Sequence, residues 1–226
     1  MIGVVDIGSN SVRLLITDQR GFEVCREVTV TGLARGVDAT GRMQQDSIST
    51  TLACLRGYAD LLDQHGVTRA AAVATSASRD AANGQEVMVA IADVLGFAPE
   101  VIDGRREARL AHAGAAAGRG GESVTVIDIG GGSTEITSGV PGAPTDVHSY
   151  DIGSVRITDR HLTSLPARPD AVSAARRDAA ATFADHAPIR HEGAVVGVAG
   201  TFTTLSAVHL GLDGYDRDAV DGSVLG

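Results

Sequence analysis

Two stretches of this 226-residue chain end an apolar run in aspartate and follow it with glycine and hydroxyl residues. The first is IGVVDIGSNSV over residues 2–12; the second is VTVIDIGGGSTE over 124–135. Small residues after a strand let successive backbone N–H groups converge on one anion. A carboxylate at the strand end does not bind phosphate itself; it holds a divalent cation or a water beside it. Asp6 and Asp128 occupy matched positions 122 residues apart. One such loop is explained by a tight hairpin alone. Two with matched aspartates point to a phosphate chain gripped from both sides. A third near-copy, DIGSVRIT at 151–158, lacks the apolar strand before it and the second glycine after it. Gly153 is therefore expected to serve a turn.

The elements that position these loops follow from periodicity. Residues 2–6, 12–17 and 22–31 read as three strands in a meander. Ile48, Leu52, Leu55, Ala59 and Leu62 recur at helical spacing, with Asp46 as N-cap and Gly66 just past the end. Residues 70–75 are a short buried strand. A helix over 85–95, a strand near 99–102 and a helix over 105–117 complete the first half. The second half repeats the order. Strands are expected over 124–129, 134–139 and 146–152. A helix over 170–185 with Asp170 as N-cap, a buried strand over 194–199 and a helix over 201–211 follow. Gly118-Arg119-Gly120-Gly121 separates the halves, giving lobes 1–117 and 118–226. Two α/β lobes with a cleft between them are the architecture this duplication suggests.

Composition narrows the class. Hydrophobic residues make up 43% of the chain but aromatics only 3%, so the core is built from Ala, Val, Leu and Ile. Net charge is −9, which argues against a general nucleic-acid binder but allows a local phosphate site. Cys25 and Cys54 form no metal pattern and read as free thiols, and the seven histidines show no ligand spacing. No apolar run approaches the length of a membrane span, and no basic leader precedes the first strand. The expectation is a cytoplasmic protein with no nucleic-acid or membrane partner.

The segments DIGSNSVRLLI (6–16), ATSASRDAAN (74–83), VIDGRREARLAHAG (101–114), VIDIGGGSTEI (126–136), DIGSVRIT (151–158) and GVAGTFTTL (197–205) lie in one order. Together they resemble the exopolyphosphatase and guanosine pentaphosphatase (Ppx/GppA) family of the actin-like ATPase superfamily. The resemblance implies two actin-like, ribonuclease H-like lobes, each a mixed five-stranded sheet with flanking helices. The second lobe is expected to be short of its last strand and helix. The resemblance makes Glu107 the general base. It assigns phosphate contacts to Arg79, Ser9, Asn10, Ser11, Gly131, Gly132, Ser133 and Thr134. Asp6, Asp128 and Glu135 are implied to hold Mg²⁺ or Mn²⁺ or the attacking water.

Each of these assignments has a plainer alternative in the residues themselves. Glu107 opens a helix, where the dipole alone favours an acid. Arg79 is next to Asp80 and is equally read as its salt-bridge partner. Arg105, Arg106 and Arg109 either steer a polyanion or pair with surplus carboxylates. Gly200 and Thr201 stand where actin-like ATPases bind adenosine, yet a strand-to-helix turn capped by Thr201 explains them unaided. The implied activity is hydrolysis of a terminal phosphoanhydride of inorganic polyphosphate. Guanosine pentaphosphate is the alternative substrate. A small-molecule kinase and a non-catalytic polyphosphate or nucleotide sensor are the rivals of other classes, and a homodimer is left open.

Overall fold

The computed structural model describes residues 1–184, 190–191 and 193–226. The chain folds as two compact units, Met1–Asp103 with Val155–Ala180, and Gly104–Ser154 with Ala181–Gly226. The sequence places its boundary after residue 117. The helix before that point falls in the second unit, and a stretch after it falls in the first.

In unit 1 the meander is β1 (Ile2–Ile7), β2 (Ser11–Thr17) and β3 (Glu23–Val30). A single turn, α1 (Val37–Thr40), leads to α2 (Gln45–Gln64) and β4 (Arg69–Ala74). Then come α3 (Ser76–Asp80), α4 (Gly84–Leu95) and the two-residue β5 (Glu100–Val101). The sheet order is β3-β2-β1-β4-β5, antiparallel within the meander and parallel from β1 through β5. Strand alternation sends Val5, Ile7, Val12, Leu14, Ile16, Ala72 and Ala74 to one face, where all are buried. Leu55, Tyr58 and Leu62 of α2 and Val87, Ile91 and Leu95 of α4 complete that core at helical spacing. Asp46 does not cap α2. The cap position is Gln44, with no side-chain bond, and Asp46 sits in the first turn, where its charge still suits the helix dipole.

Unit 2 opens with α5 (Gly104–Ala115), then a second meander, β6 (Val124–Ile129), β7 (Thr134–Val140) and β8 (Ala143–Tyr150). α6 (Ser154–His161) and most of α7 (Pro169–Ala184) belong to unit 1. β9 (Ala194–Val198), α8 (Ala199–His209) and the short α9 (Arg217–Val220) return to unit 2. Its sheet order is β8-β7-β6-β9, one strand fewer than the first, with β6 and β9 parallel. Both units thus share the actin-like pattern expected from sequence. Asp170 lies inside α7, whose first residue is Pro169, and is not an N-cap. Thr201 is not one either. α8 begins at Ala199 with Val198 in the cap position, and the Thr201 hydroxyl donates to the Ile129 carbonyl at 2.9 Å.

α5 packs across β6, β7 and β8. Its Ala108 and His112, one turn apart, are fully buried. The His112 Nε2–H donates to the Val140 carbonyl at 3.1 Å, so Nδ1 accepts from the Thr137 hydroxyl at 2.9 Å. This pins the helix that carries Glu107 to the strand that carries Glu135. No helix among the described residues is long and apolar enough to cross a membrane.

Candidate active site

The two glycine loops close by the same bond. The Gly8 N–H donates to the Ser11 carbonyl at 3.0 Å, and the Gly130 N–H donates to the Ser133 carbonyl at 3.0 Å. The registers match as well. Ile7 pairs with Val12 and Asp6 with Arg13; Ile129 pairs with Thr134 and Asp128 with Glu135. The internal duplication therefore reaches single residues, and the difference between the copies is chemical. Opposite the strand-end aspartate stands an arginine in unit 1 and a glutamate in unit 2.

That difference sets the electrostatics. Asp6 is paired with the Arg13 guanidinium at 3.0 Å. Asp128 faces a second carboxylate. Like charges directly across a ladder are destabilising, so this arrangement is not one that folding alone favours. Glu135 is 2% exposed, and the Ser149 hydroxyl donates to its Oε1 at 2.8 Å. Burial pushes its pKa up to about 8, with the charges of Glu107 and Asp128 adding to the rise. The hydroxyls of Ser149 and Ser133 oppose the rise without cancelling it. Asp128 and Glu135 thus face each other across the ladder within unit 2, and the Glu107 charge acts on Glu135.

The loop of unit 2 is held from behind by the third near-copy. The Ser154 N–H donates to the Gly130 carbonyl at 2.9 Å, and the Thr134 hydroxyl donates to the Ile152 carbonyl at 2.7 Å. Gly153 is there because nothing larger fits. A Cβ on it would lie 2.5 Å from the Gly131 carbonyl oxygen and 2.7 Å from the Gly132 nitrogen. The Asp-Ile-Gly-Ser segment is a buttress for the glycine loop. Sequence spacing offered no sign of this beyond the glycine itself.

In unit 1 the equivalent anchor is Ser9. Its hydroxyl lies 2.7 Å from that of Ser76 and accepts from the Ala77 N–H at 3.3 Å. The hydroxyls of Ser9 and Thr134 are therefore engaged in holding their loops. Asn10 and Ser11 are part-exposed on the same hairpin as Ser9. Arg79 lies in the last turn of α3, with Nη1 donating to the Ile102 carbonyl at 2.6 Å. Its neighbour Asp80 is bound by Arg156. Gly200 is exposed and Thr201 part-exposed in the first turn of α8. Ala199 before them has φ of 68°, the one non-glycine left-handed residue among those described.

Oxygen-only donors suit magnesium or manganese. Among the described residues, no three or more His, Cys, Asp or Glu side chains gather into a preformed metal cage. Magnesium commonly takes one or two protein carboxylates and completes its octahedron with phosphate oxygens and waters. The facing pair Asp128 and Glu135 fits that requirement.

Two mixed α/β units, each with a matched glycine-loop hairpin, define the fold class. The chain belongs to the Ppx/GppA phosphatase family, whose model matches residues 15–222. By that membership it is a hydrolase acting on phosphoric anhydrides. Exopolyphosphatase 2 of Mycobacterium tuberculosis is 41% identical over 236 residues, covering 97% of this chain and 74% of that protein. The crystal structure of an exopolyphosphatase-like protein is 34% identical with a TM-score of 0.92, covering 98% of this chain and 73% of the other. An exopolyphosphatase from Cytophaga hutchinsonii is 29% identical with a TM-score of 0.80, covering 94% and 72%.

Proposed function

We propose that the protein is an exopolyphosphatase that hydrolyses the terminal phosphoanhydride of inorganic polyphosphate and releases orthophosphate. The observation that carries this reading is the facing pair Asp128 and Glu135 beside the unit 2 glycine loop, with the Glu107 charge acting on Glu135. A kinase needs one base to activate an acceptor hydroxyl. A hydrolase needs a base for water, and Glu107 on α5 is that base. The likeness to exopolyphosphatase 2 supports polyphosphate as the substrate.

Glu107 accepts a proton from the attacking water and orients its lone pair toward phosphorus. Asp128 and Glu135 would hold magnesium or manganese, which supplies neutralisation of the charge on the transferring phosphoryl oxygens. Ionising Glu135 is costly while it is buried beside two acids, so it enters that role with loss of its proton. In unit 2 the hairpin backbone at Gly131–Gly132 binds phosphate oxygens. In unit 1, taken by itself, the Ser9–Ser11 hairpin and Arg79 are phosphate contacts, and Asp6 would serve as a ligand only by releasing Arg13. Most of the acceleration is then positioning and charge stabilisation.

The test is orthophosphate release from short and long polyphosphate, guanosine pentaphosphate and ATP, with and without magnesium. Release from polyphosphate that is fastest and metal-dependent is expected. Faster turnover of guanosine pentaphosphate would move the assignment to that substrate. Transfer from ATP to a small acceptor without phosphate release would replace it with a kinase.

A further inference from the structure

The segment after β3, Thr-Gly-Leu-Ala-Arg-Gly over 31–36, wraps the glycine loop of unit 1. The Thr31 and Gly32 N–H groups both donate to the Asn10 carbonyl, at 3.0 and 2.9 Å. The Ala34 N–H donates to the Ser9 carbonyl at 2.8 Å. Leu33 is fully buried and locks the segment to the core. The Arg35 N–H closes a turn on the Gly32 carbonyl at 2.9 Å. Gly32 has φ of 63°, and the Arg35 guanidinium occupies the space that a Cβ there would take. A Cβ on Gly32 would be 2.9 Å from Nη2, 3.2 Å from Cζ and 3.4 Å from Nε. Three atoms of one planar group at such similar distances mean that the plane rests on the glycine.

Arg35 is exposed, and no ion pair engages it among the described residues. In a chain with 28 acidic and 19 basic residues, an arginine has many carboxylates to meet. Instead it is fixed on Gly32, whose backbone grips Asn10, and one residue from Ala34, whose backbone grips Ser9. We propose that Arg35 is a phosphate-chain contact, its guanidinium docked on Gly32 to bind anionic oxygens of a polyphosphate lying on the Ser9–Ser11 loop. The fork of a guanidinium matches two phosphate oxygens at once. This rests on the reading that the unit 1 loop binds phosphate, and it adds a residue to the substrate's binding set.

The experiment measures affinity by calorimetry for inorganic tripolyphosphate and for long-chain polyphosphate in a Glu107→Gln background, which slows turnover. Arg35→Ala is expected to weaken binding about tenfold, the scale of one charge-assisted contact. Arg35→Lys should fall between the two, because it keeps charge without the fork. Gly32→Ala, whose Cβ displaces the guanidinium, should match Arg35→Ala. In the Glu107 wild-type background, Arg35→Ala should raise KM and leave kcat and the melting temperature unchanged. Equal affinity of Arg35→Ala and its parent overturns the proposal, as does loss in Gly32→Ala alone. A protein that binds tripolyphosphate but releases phosphate from no anhydride refutes the hydrolase reading, while the binding comparison still decides Arg35. A protein that binds no phosphate chain overturns both.

Discussion

Asp128 and Glu135 are direct cross-strand partners on β6 and β7. Their counterparts on β1 and β2 are Asp6 and Arg13, an ion pair at 3.0 Å. The duplicated hairpin sets a guanidinium against the carboxylate in one copy and a second carboxyl group against it in the other. Several measurements test that arrangement.

The Glu135 carboxyl titrates from 4.5 in its ordinary state to about 8 in the folded protein. Between those values the folded state keeps a proton that the unfolded chain releases. Stability is therefore full below the lower value and falls as pH rises to the upper one. The loss is on the order of a few kcal/mol. Melting temperature should fall across this window in the wild type and stay level in Glu135→Gln. A level wild-type profile would refute the raised pKa. Magnesium should raise the melting temperature more above the window than below it, because only ionised Glu135 is a ligand.

Glu107→Gln should lower kcat by about a hundredfold to ten-thousandfold, the range for a general base. KM for polyphosphate should change little. Removing this charge also lowers the folded pKa of Glu135, so the stability loss with pH should be smaller and end at a lower pH. Wild-type kcat in the variant would sink the base assignment.

Gly153→Ala drives a Cβ into the backbone of Gly131 and Gly132. Backbone cannot move aside as a side-chain tip does, so the loop must shift. A stability loss of about 1–3 kcal/mol is expected from such overpacking, with polyphosphate turnover reduced at least tenfold as the loop is displaced. Denaturant unfolding and steady-state kinetics measure the two effects. Normal turnover with normal stability would show that the buttress is dispensable.

Asp38 is held below its ordinary carboxylate range by hydrogen bonds from Arg160 and Arg156. Arg160 also bonds Asp178, which in turn meets His161 at 2.8 Å. A depressed carboxyl contributes stability above its ordinary pKa and loses it as pH falls through the folded value. Asp38→Asn should lower the melting temperature at neutral pH, and the difference should vanish in acid. Equal melting temperatures at neutral pH would mean the network adds nothing net.

Much of the fold was legible because its signals are local. Apolar runs located β1, β2, β4, β6 and β9 within a residue or two, but β9, expected to be buried, is exposed or half-buried along its length, and the first half of β4 is exposed. The periodic stripe of α2 and the apolar run of α4 gave their helices. β8 was displaced, from an expected 146–152 to Ala143–Tyr150. Pro144 stands in this edge strand beside a register shift, where a missing N–H is tolerated. α6 was missed altogether. Val155, Ile157 and Thr158 favour strands, and the helix is supported by Arg156 and Arg160, four residues apart, reaching Asp38 in another element.

The sequence by itself determined the duplication, the two glycine loops and which residue types stand at them. Those follow from spacing, which is fixed along the chain. Tertiary structure decided that Asp6 faces an arginine and Asp128 a glutamate, because register sets what lies across a ladder. It decided that α5 and Glu107 belong with Asp128 and Glu135, because packing assigns a helix to a sheet. It also turned the third Asp-Ile-Gly into a support for the second loop and set Arg35 on Gly32. Contacts of that kind depend on where the backbone returns in space, which no local pattern of residues encodes.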